Sequence, residues 1–288
     1  MAKHTLQIRE KTIFDGIFAK YPLKFFFKTF FKLTGWRATQ ADIHGAGVSI
    51  AAPHTSNWDF FYALGAALIN NKKIYFSIKD SWCRLPIVGS VVMWLGAIPI
   101  DRSAGGKGQV ELIKAFVKRH RNQDVLFLFT PEGTRGQTKK WKTGFYHVAQ
   151  DTGLPIFLAK VDYQIKESGV FHSYQISGNK EDDIRIIQES YKSIRGKCIE
   201  NQFPAYVGPM PALSDTDAAI IKAVYSLKGL ATKMDIASKV KLSKLPPSVL
   251  DFLTEKGILE QVNENGEPKY QLTFIGKGYL LHLAPTLE

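Results

Sequence analysis

Residues 48–70 read VSIAAPHTSNWDFFYALGAALIN, and the fold is decided by how this stretch changes period. The opening VSIAA is a short apolar run with β-branched residues, closed by Pro53, which marks a buried strand. From Phe60 to Asn70 the apolar residues are continuous enough and long enough for a buried helix. Between them lies a polar turn, Pro53-His54-Thr55-Ser56-Asn57-Trp58-Asp59. Strand, polar turn and helix in immediate succession predict an α/β architecture.

The same alternation runs outward from about residue 45 to 205. Strands are expected at 48–52, 74–78, 97–100, 125–130, 155–162 and 174–177. Helices are expected at 60–70, 108–121, 145–151 and 183–199. The expectation is a mixed, largely parallel sheet flanked by helices. Residues 85–100, LPIVGSVVMWLGAIPI, form a 16-residue uncharged stretch with two prolines and two glycines. A membrane-spanning helix needs about 20 apolar residues, so this stretch reads as a buried helix followed by a strand.

Two flanking segments differ in character. Residues 1–40 are aromatic and basic, with Lys20, Lys24, Lys28 and Lys32 recurring every fourth position. At about 100° per residue these lysines sweep one arc of a helix, roughly opposite Leu23, Phe26, Phe27, Phe30 and Leu33. An amphipathic helix of this kind can lie in a lipid interface with its lysines toward anionic head groups. Phe26, Phe27, Phe30, Lys24 and Lys28 are therefore candidate membrane-binding residues. Residues 41–210 form the α/β domain, which a proline-containing joint, VGPMPALSD at 207–215, separates from residues 214–288. There, three short helical patterns near 215–228, 232–240 and 246–256 precede a hairpin turning at Asn265-Gly266 and a terminal helix. The order resembles a small winged-helix domain.

Composition narrows the function. The chain has 288 residues, 45% of them hydrophobic, and a net charge of +12. Residues 214–288 hold nine lysines, no arginine and nine acidic residues, so the whole excess belongs to the first 213. A basic surface draws anionic membranes, acidic carriers or nucleic acid. The neutral, arginine-free C-terminal segment argues against nucleic acid, whose binding depends on phosphate neutralisation. Two distant cysteines, Cys83 and Cys198, have neither metal nor redox spacing. They suit a reducing cytosol, and no metal site is expected. The polar start, MAKHTLQIREK, does not read as a secretory signal.

The chemistry-bearing residues sit at expected strand ends. On one straight helix His54 and Asp59 would point about 140° apart. With a turn after the strand and a helix starting near Thr55 or Ser56, Asp59 can hold one imidazole nitrogen and leave the other as a general base. Asn57 beside it is either a hydrogen-bond donor to a ligand or a helix cap. After the strand at 125–129 comes Thr130-Pro131-Glu132-Gly133-Thr134-Arg135, a glycine turn whose amides and guanidinium can hold an oxyanion or phosphate. Lys139, Lys140 and Lys142 add charge, and Gly144 would allow close backbone approach. Asp101-Arg102 ends another expected strand.

Together these motifs resemble the glycerolipid acyltransferases, the group that includes 1-acyl-glycerol-3-phosphate acyltransferases. His54 to Asp59 matches the family's His-x4-Asp. Residues 97–102, AIPIDR, match its second motif, and Pro131 to Arg135 its Pro-Glu-Gly-Thr-Arg, followed by Lys142 and Gly144. Residues 153–156, GLPI, match the fourth. The resemblance covers about residues 40–205. Leu158, Thr130 and Trp58 depart from the usual pattern, and these departures bear on the acceptor more than on the chemistry.

The resemblance implies direct acyl transfer from acyl-CoA or acyl carrier protein to a lysolipid hydroxyl, with lysophosphatidic acid as first acceptor and a lyso-aminolipid as alternative. His54 and Asp59 would be catalytic, with Asn57, Arg102, Glu132, Gly133, Thr134, Arg135 and Lys142 binding substrate. No cofactor is implied. The expected location is the cytoplasmic face of the inner (plasma) membrane, as a peripheral or monotopic protein.

Overall fold

The computed structural model describes residues 8–41, 43–100 and 107–283. Contacts divide the chain into two compact units. One runs up to Gly178 and includes Ile194–Ala205; the other comprises Asn179–Ser193 and Tyr206–Pro285.

The first unit contains α1 (Ile17–Thr34), β1 (Arg37–Gln40), β2 (Gly47–Ala51), α2 (Trp58–Ile69) and β3 (Lys73–Lys79). Two short helices, α3 (Asp80–Cys83) and α4 (Val88–Trp94), precede β4 (Ala97–Ile100) and α5 (Lys107–His120). Next come β5 (Val125–Phe129), α6 (Gly144–Thr152), β6 (Ile156–Asp162) and β7 (Glu167–Tyr174). The seven strands lie in the order β1-β7-β6-β2-β5-β3-β4. Every pairing is parallel except β6 with β7. The sheet is therefore mixed and largely parallel, flanked by helices.

The central strands are largely apolar because both faces are covered: β6 is buried along its whole length, Lys160 and Asp162 included, and β2 along all but its last residue. α2 packs its small residues, Ala66 and Ala67, toward the sheet and accepts α1 on its other side. At Gly65 a Cβ would lie 2.5 Å from the Phe27 ring, so glycine permits the close approach of the two helices.

Several expectations change. The strand placed at 174–177 is instead β7, residues 167–174, whose burial alternates along its length. It forms a hairpin with β6 through residues 163–166, with Lys166 at φ +53°, and no glycine or proline betrays that turn. Polar β1, a sheet edge, was not foreseen. The stretch at 85–95 is not buried: Ile87 is 82% exposed, Val91 46% and Val88 41%, while Gly89 packs on the Cys83 backbone. A two-turn helix in a strand-to-strand crossover has only one face to bury. Gly144 begins α6 with open space beside it rather than a close neighbour.

Phe27, assigned to the membrane face, is buried at 3% exposure with Phe31, and both pack on α2. Phe30 is half-buried against Phe61 and Tyr62. Phe26 is 49% exposed, and among the described side chains of α1 the most open apolar ones are Leu33 at 80% and Phe25 at 73%. Lys28 is exposed, and Lys24 donates to Asn71 Oδ1 at 2.8 Å. The packed stripe thus follows positions 27 and 31, one turn apart, and the exposed face lies beside it. Among the described residues no helix is long and apolar enough to cross a membrane.

The second unit holds α7 (Lys180–Tyr191), α8 (Asp215–Ser226), β8 (Ala231–Thr232), α9 (Lys233–Lys239) and α10 (Pro247–Glu255). β9 (Leu259–Glu264), β10 (Glu267–Leu272) and α11 (Phe274–Leu283) complete it. The strands order as β8-β10-β9, all antiparallel. α8 and α9 begin with reciprocal capping boxes, Ser214 with Asp217 and Thr232 with Asp235. α7, read from sequence as a longer helix of the α/β domain, ends at Tyr191 and packs on α11.

Candidate active site

Because β5, β2 and β6 are adjacent and parallel, the loops leaving their carboxyl ends emerge at one edge of the sheet. The loop after β2 carries His54 and leads into α2. The loop after β5 carries residues 130–135, and Tyr163 directly follows β6.

His54 Nδ1 lies 3.2 Å from Asp59 Oδ2. The same oxygen accepts the backbone N–H groups of Thr55 and Ser56, each at 2.8 Å, and Oδ1 accepts the Tyr163 hydroxyl at 2.8 Å. Four donors fix this buried carboxylate. It caps the turn, so helix α2 starts at Trp58, after the Thr55 or Ser56 start that the pair required and before the Phe60 start of the apolar run, and the 140° separation disappears. Asn57 occupies the N-cap position but makes no side-chain capping bond; it is exposed. With Nδ1–H donating to Asp59, Nε2 keeps its lone pair, and the ring is partly open to solvent at 21%.

Tyr163 was invisible to the sequence reading. The residue after β6 earns no motif, and only the strand order shows that it meets the loop after β2. Its ring stands edge-on to Trp36 at 5.2 Å and to Tyr62 at 5.8 Å, and those two stack at 3.7 Å. Burial, reinforced by the Asp59 charge, pushes its hydroxyl well above the usual phenol range. It therefore stays a donor. Tyr163→Phe keeps the ring and deletes one bond to a carboxylate, worth about 1.5–3 kcal/mol. The expected result is a roughly tenfold fall in kcat with a melting point lower by a few degrees, read by turnover and thermal denaturation.

Glu132 joins the two loops. Its Oε1 accepts the His54 backbone N–H at 2.9 Å, while Oε2 is buried with no hydrogen-bond partner among the described residues. Burial pushes its carboxyl up to about 8, against the hydrogen bond from His54 N–H. Gly133 turns the chain at φ +65°, a conformation that favours glycine, and the Lys142 side chain lies over it. Lys142 N–H also donates to Pro131 O at 2.7 Å. Thr134 Oγ1 accepts Gly136 N–H at 3.2 Å and so stabilises the turn. Arg135 and Lys142 are exposed and form no ion pair among the described residues. Arg102 lies outside the described residues. Among them, no cluster of three or more His, Cys, Asp or Glu could hold a metal ion.

A positioned imidazole with a free nitrogen, beside a glycine turn and unpaired cations, can take a proton from a hydroxyl and receive an anionic ligand. No curated protein matches the chain. A family model described as Acyltransferase matches residues 37–158. The segment that brings His54, Asp59 and Glu132 together is thus similar to the acyltransferase family.

Proposed function

We propose that the chain transfers a fatty acyl group from acyl-CoA or acyl carrier protein to the hydroxyl of a lysolipid, 1-acyl-glycerol-3-phosphate before others. The observation that carries this reading is the His54–Asp59 pair held by four donors at the sheet edge. His54 Nε2 takes the acceptor's hydroxyl proton as its oxygen attacks the thioester carbonyl. Asp59 stabilises the imidazolium, which then protonates the leaving thiolate as the tetrahedral intermediate collapses to ester and thiol. The thioester is already activated, so no covalent enzyme intermediate is needed. Glu132, Gly133, Thr134, Arg135 and Lys142 would receive the acceptor's head group, with Arg102 as a further cation.

The test offers purified protein acyl-CoA or acyl carrier protein together with lysophosphatidic acid or lyso-aminolipids in turn, following thiol and lipid product. Acceptor-dependent transfer supports the reading, and the preferred acceptor names the substrate. Thiol release that ignores the acceptor would make the protein a thioesterase and sink it.

The same reading places the first unit on the cytoplasmic face of the inner membrane, without spanning it. Its support is the exposed apolar face of α1 and the basic charge of the first 213 residues. The exposed aliphatics of α4 are a further apolar surface on that unit. Burying one large apolar side chain stabilises by about 1.5–3 kcal/mol. Phe25→Glu is therefore expected to weaken binding to phosphatidylglycerol–phosphatidylcholine vesicles by about tenfold or more in co-sedimentation. Unchanged sedimentation would place the contact elsewhere. The second unit is read as a winged-helix-like module that docks a partner or supports assembly rather than binding nucleic acid.

A further inference from the structure

The segment Ile194–Ala205 lies beyond the stretch that matches the acyltransferase family, yet it touches all three loops of the site. Cys198 N–H donates to Thr55 Oγ1 at 3.1 Å, next to His54. Gln137 Nε2 donates to Glu200 O at 3.2 Å and Trp141 Nε1 to Phe203 O at 3.1 Å, on the loop after β5. Tyr163 N–H donates to Arg195 O at 2.9 Å, at the end of β6. The segment also braces itself: Gln202 accepts Gly196 N–H at 2.9 Å and donates to Ile194 O at 2.7 Å. At Gly196 a Cβ would come within 3.0–3.1 Å of Thr55 and Pro53, so the strap lies tight on the turn that aims His54.

This strap carries one exposed cation to the turn. Lys197 Nζ sits 5.2 Å from the centre of the Trp58 ring, and Trp58 is 51% exposed. Lys197 has no acidic partner among the described residues. An indole face under a lysine attracts it weakly at an exposed site, enough to bias the rotamer while leaving the ammonium's hydrogens for a ligand. On the loop after β5, Arg135 and Lys142 are likewise uncompensated.

We propose that Lys197 and Trp58 form an anion-binding lip that selects a phosphate-bearing acyl acceptor over a neutral one. Lys197 meets the phosphate, and the indole lies against the adjoining glycerol and first methylenes. An apolar face beside a cation suits a lipid head group better than it suits a free anion. The ligand's chemistry rests on the acyl-transfer reading; the lip itself does not.

The experiment compares parent, Lys197→Met and Lys197→Arg, each with lysophosphatidic acid and with monoacylglycerol as acceptor. For Lys197→Met the ratio of kcat/KM for the phosphate-bearing over the neutral acceptor falls about tenfold or more, the order of one charged hydrogen bond. Lys197→Arg restores most of it. An unchanged ratio overturns the proposal, whether both activities fall together or neither does, because the strap would then be only a brace. A change confined to the KM of acyl-CoA also overturns it, since the donor's phosphates would be the ligand. A second arm needs no turnover. On a His54→Ala background, Lys197→Met weakens titrated lysophosphatidic acid binding by a similar factor, and equal binding refutes the lip. Weakened binding with no transfer by the parent to any acceptor would sink the acyl-transfer reading and leave the lip standing.

Discussion

His54→Ala is expected to lower kcat for acyl transfer by about 10²–10⁴-fold while leaving the fold in place. The ring is partly exposed, and the hydrogen bond from its backbone N–H to Glu132 does not depend on the side chain. Secondary structure and melting should therefore stay close to the parent's. Asp59→Asn should cost less than this in rate but more in stability. The amide oxygen can still accept the Thr55 and Ser56 N–H groups, but its nitrogen cannot accept from Tyr163. The two residues act as one unit, so the double variant should be scarcely slower than His54→Ala alone. Steady-state kinetics on the four proteins decide the matter. Additive losses would mean that Asp59 works independently of His54. Activity surviving in His54→Ala would mean that another group takes the proton.

The spacing of His54 and Asp59 was legible because a strand-to-helix transition leaves few ways for two residues five apart to meet. The glycine turn at Gly133 was legible for a similar reason, since its sequence prescribes its backbone. What stayed hidden depended on strand order. Tyr163 and Lys197 carry no local signature, and they reach the site only because β6 lies beside β2 and the chain returns as a strap over both loops. α1 shows a different limit. A helical wheel separates lysines from phenylalanines, but it does not say which phenylalanines a neighbouring helix covers. Gly65 decided that by admitting Phe27. The uncharged run at 85–95 misled because absence of charge was read as burial, whereas Ile87 and Val91 face outward.

Glu132→Gln is expected to stabilise the protein most at alkaline pH, less at pH 6, and scarcely at all near the ordinary carboxylate range. The Glu132 carboxyl is pushed from an ordinary 4.5 up to about 8, chiefly by burial. Between those values the folded chain holds a proton that the unfolded chain has released, so stability falls as pH rises through this window. At about 1.4 kcal/mol per tenfold change in proton affinity, the full effect is several kcal/mol. Glutamine mimics the protonated acid: its carbonyl oxygen can still accept the His54 N–H, and it has no charge to lose. For a unit of this size each kcal/mol moves the midpoint by about 2–4 °C. The variant should therefore melt about 10 °C or more above the parent at pH 9, and above it by somewhat under half that margin at pH 6. Thermal denaturation of both proteins across pH 6–9 reads this directly. Parallel curves would show that Glu132 ionises normally inside the fold, with a cation or solvent reaching its Oε2. The same pair tests the site: if the neutral acid is the working form, Glu132→Gln should retain much of the parent's transfer at pH 7, whereas Glu132→Ala, which also drops the hydrogen bond to His54, should not.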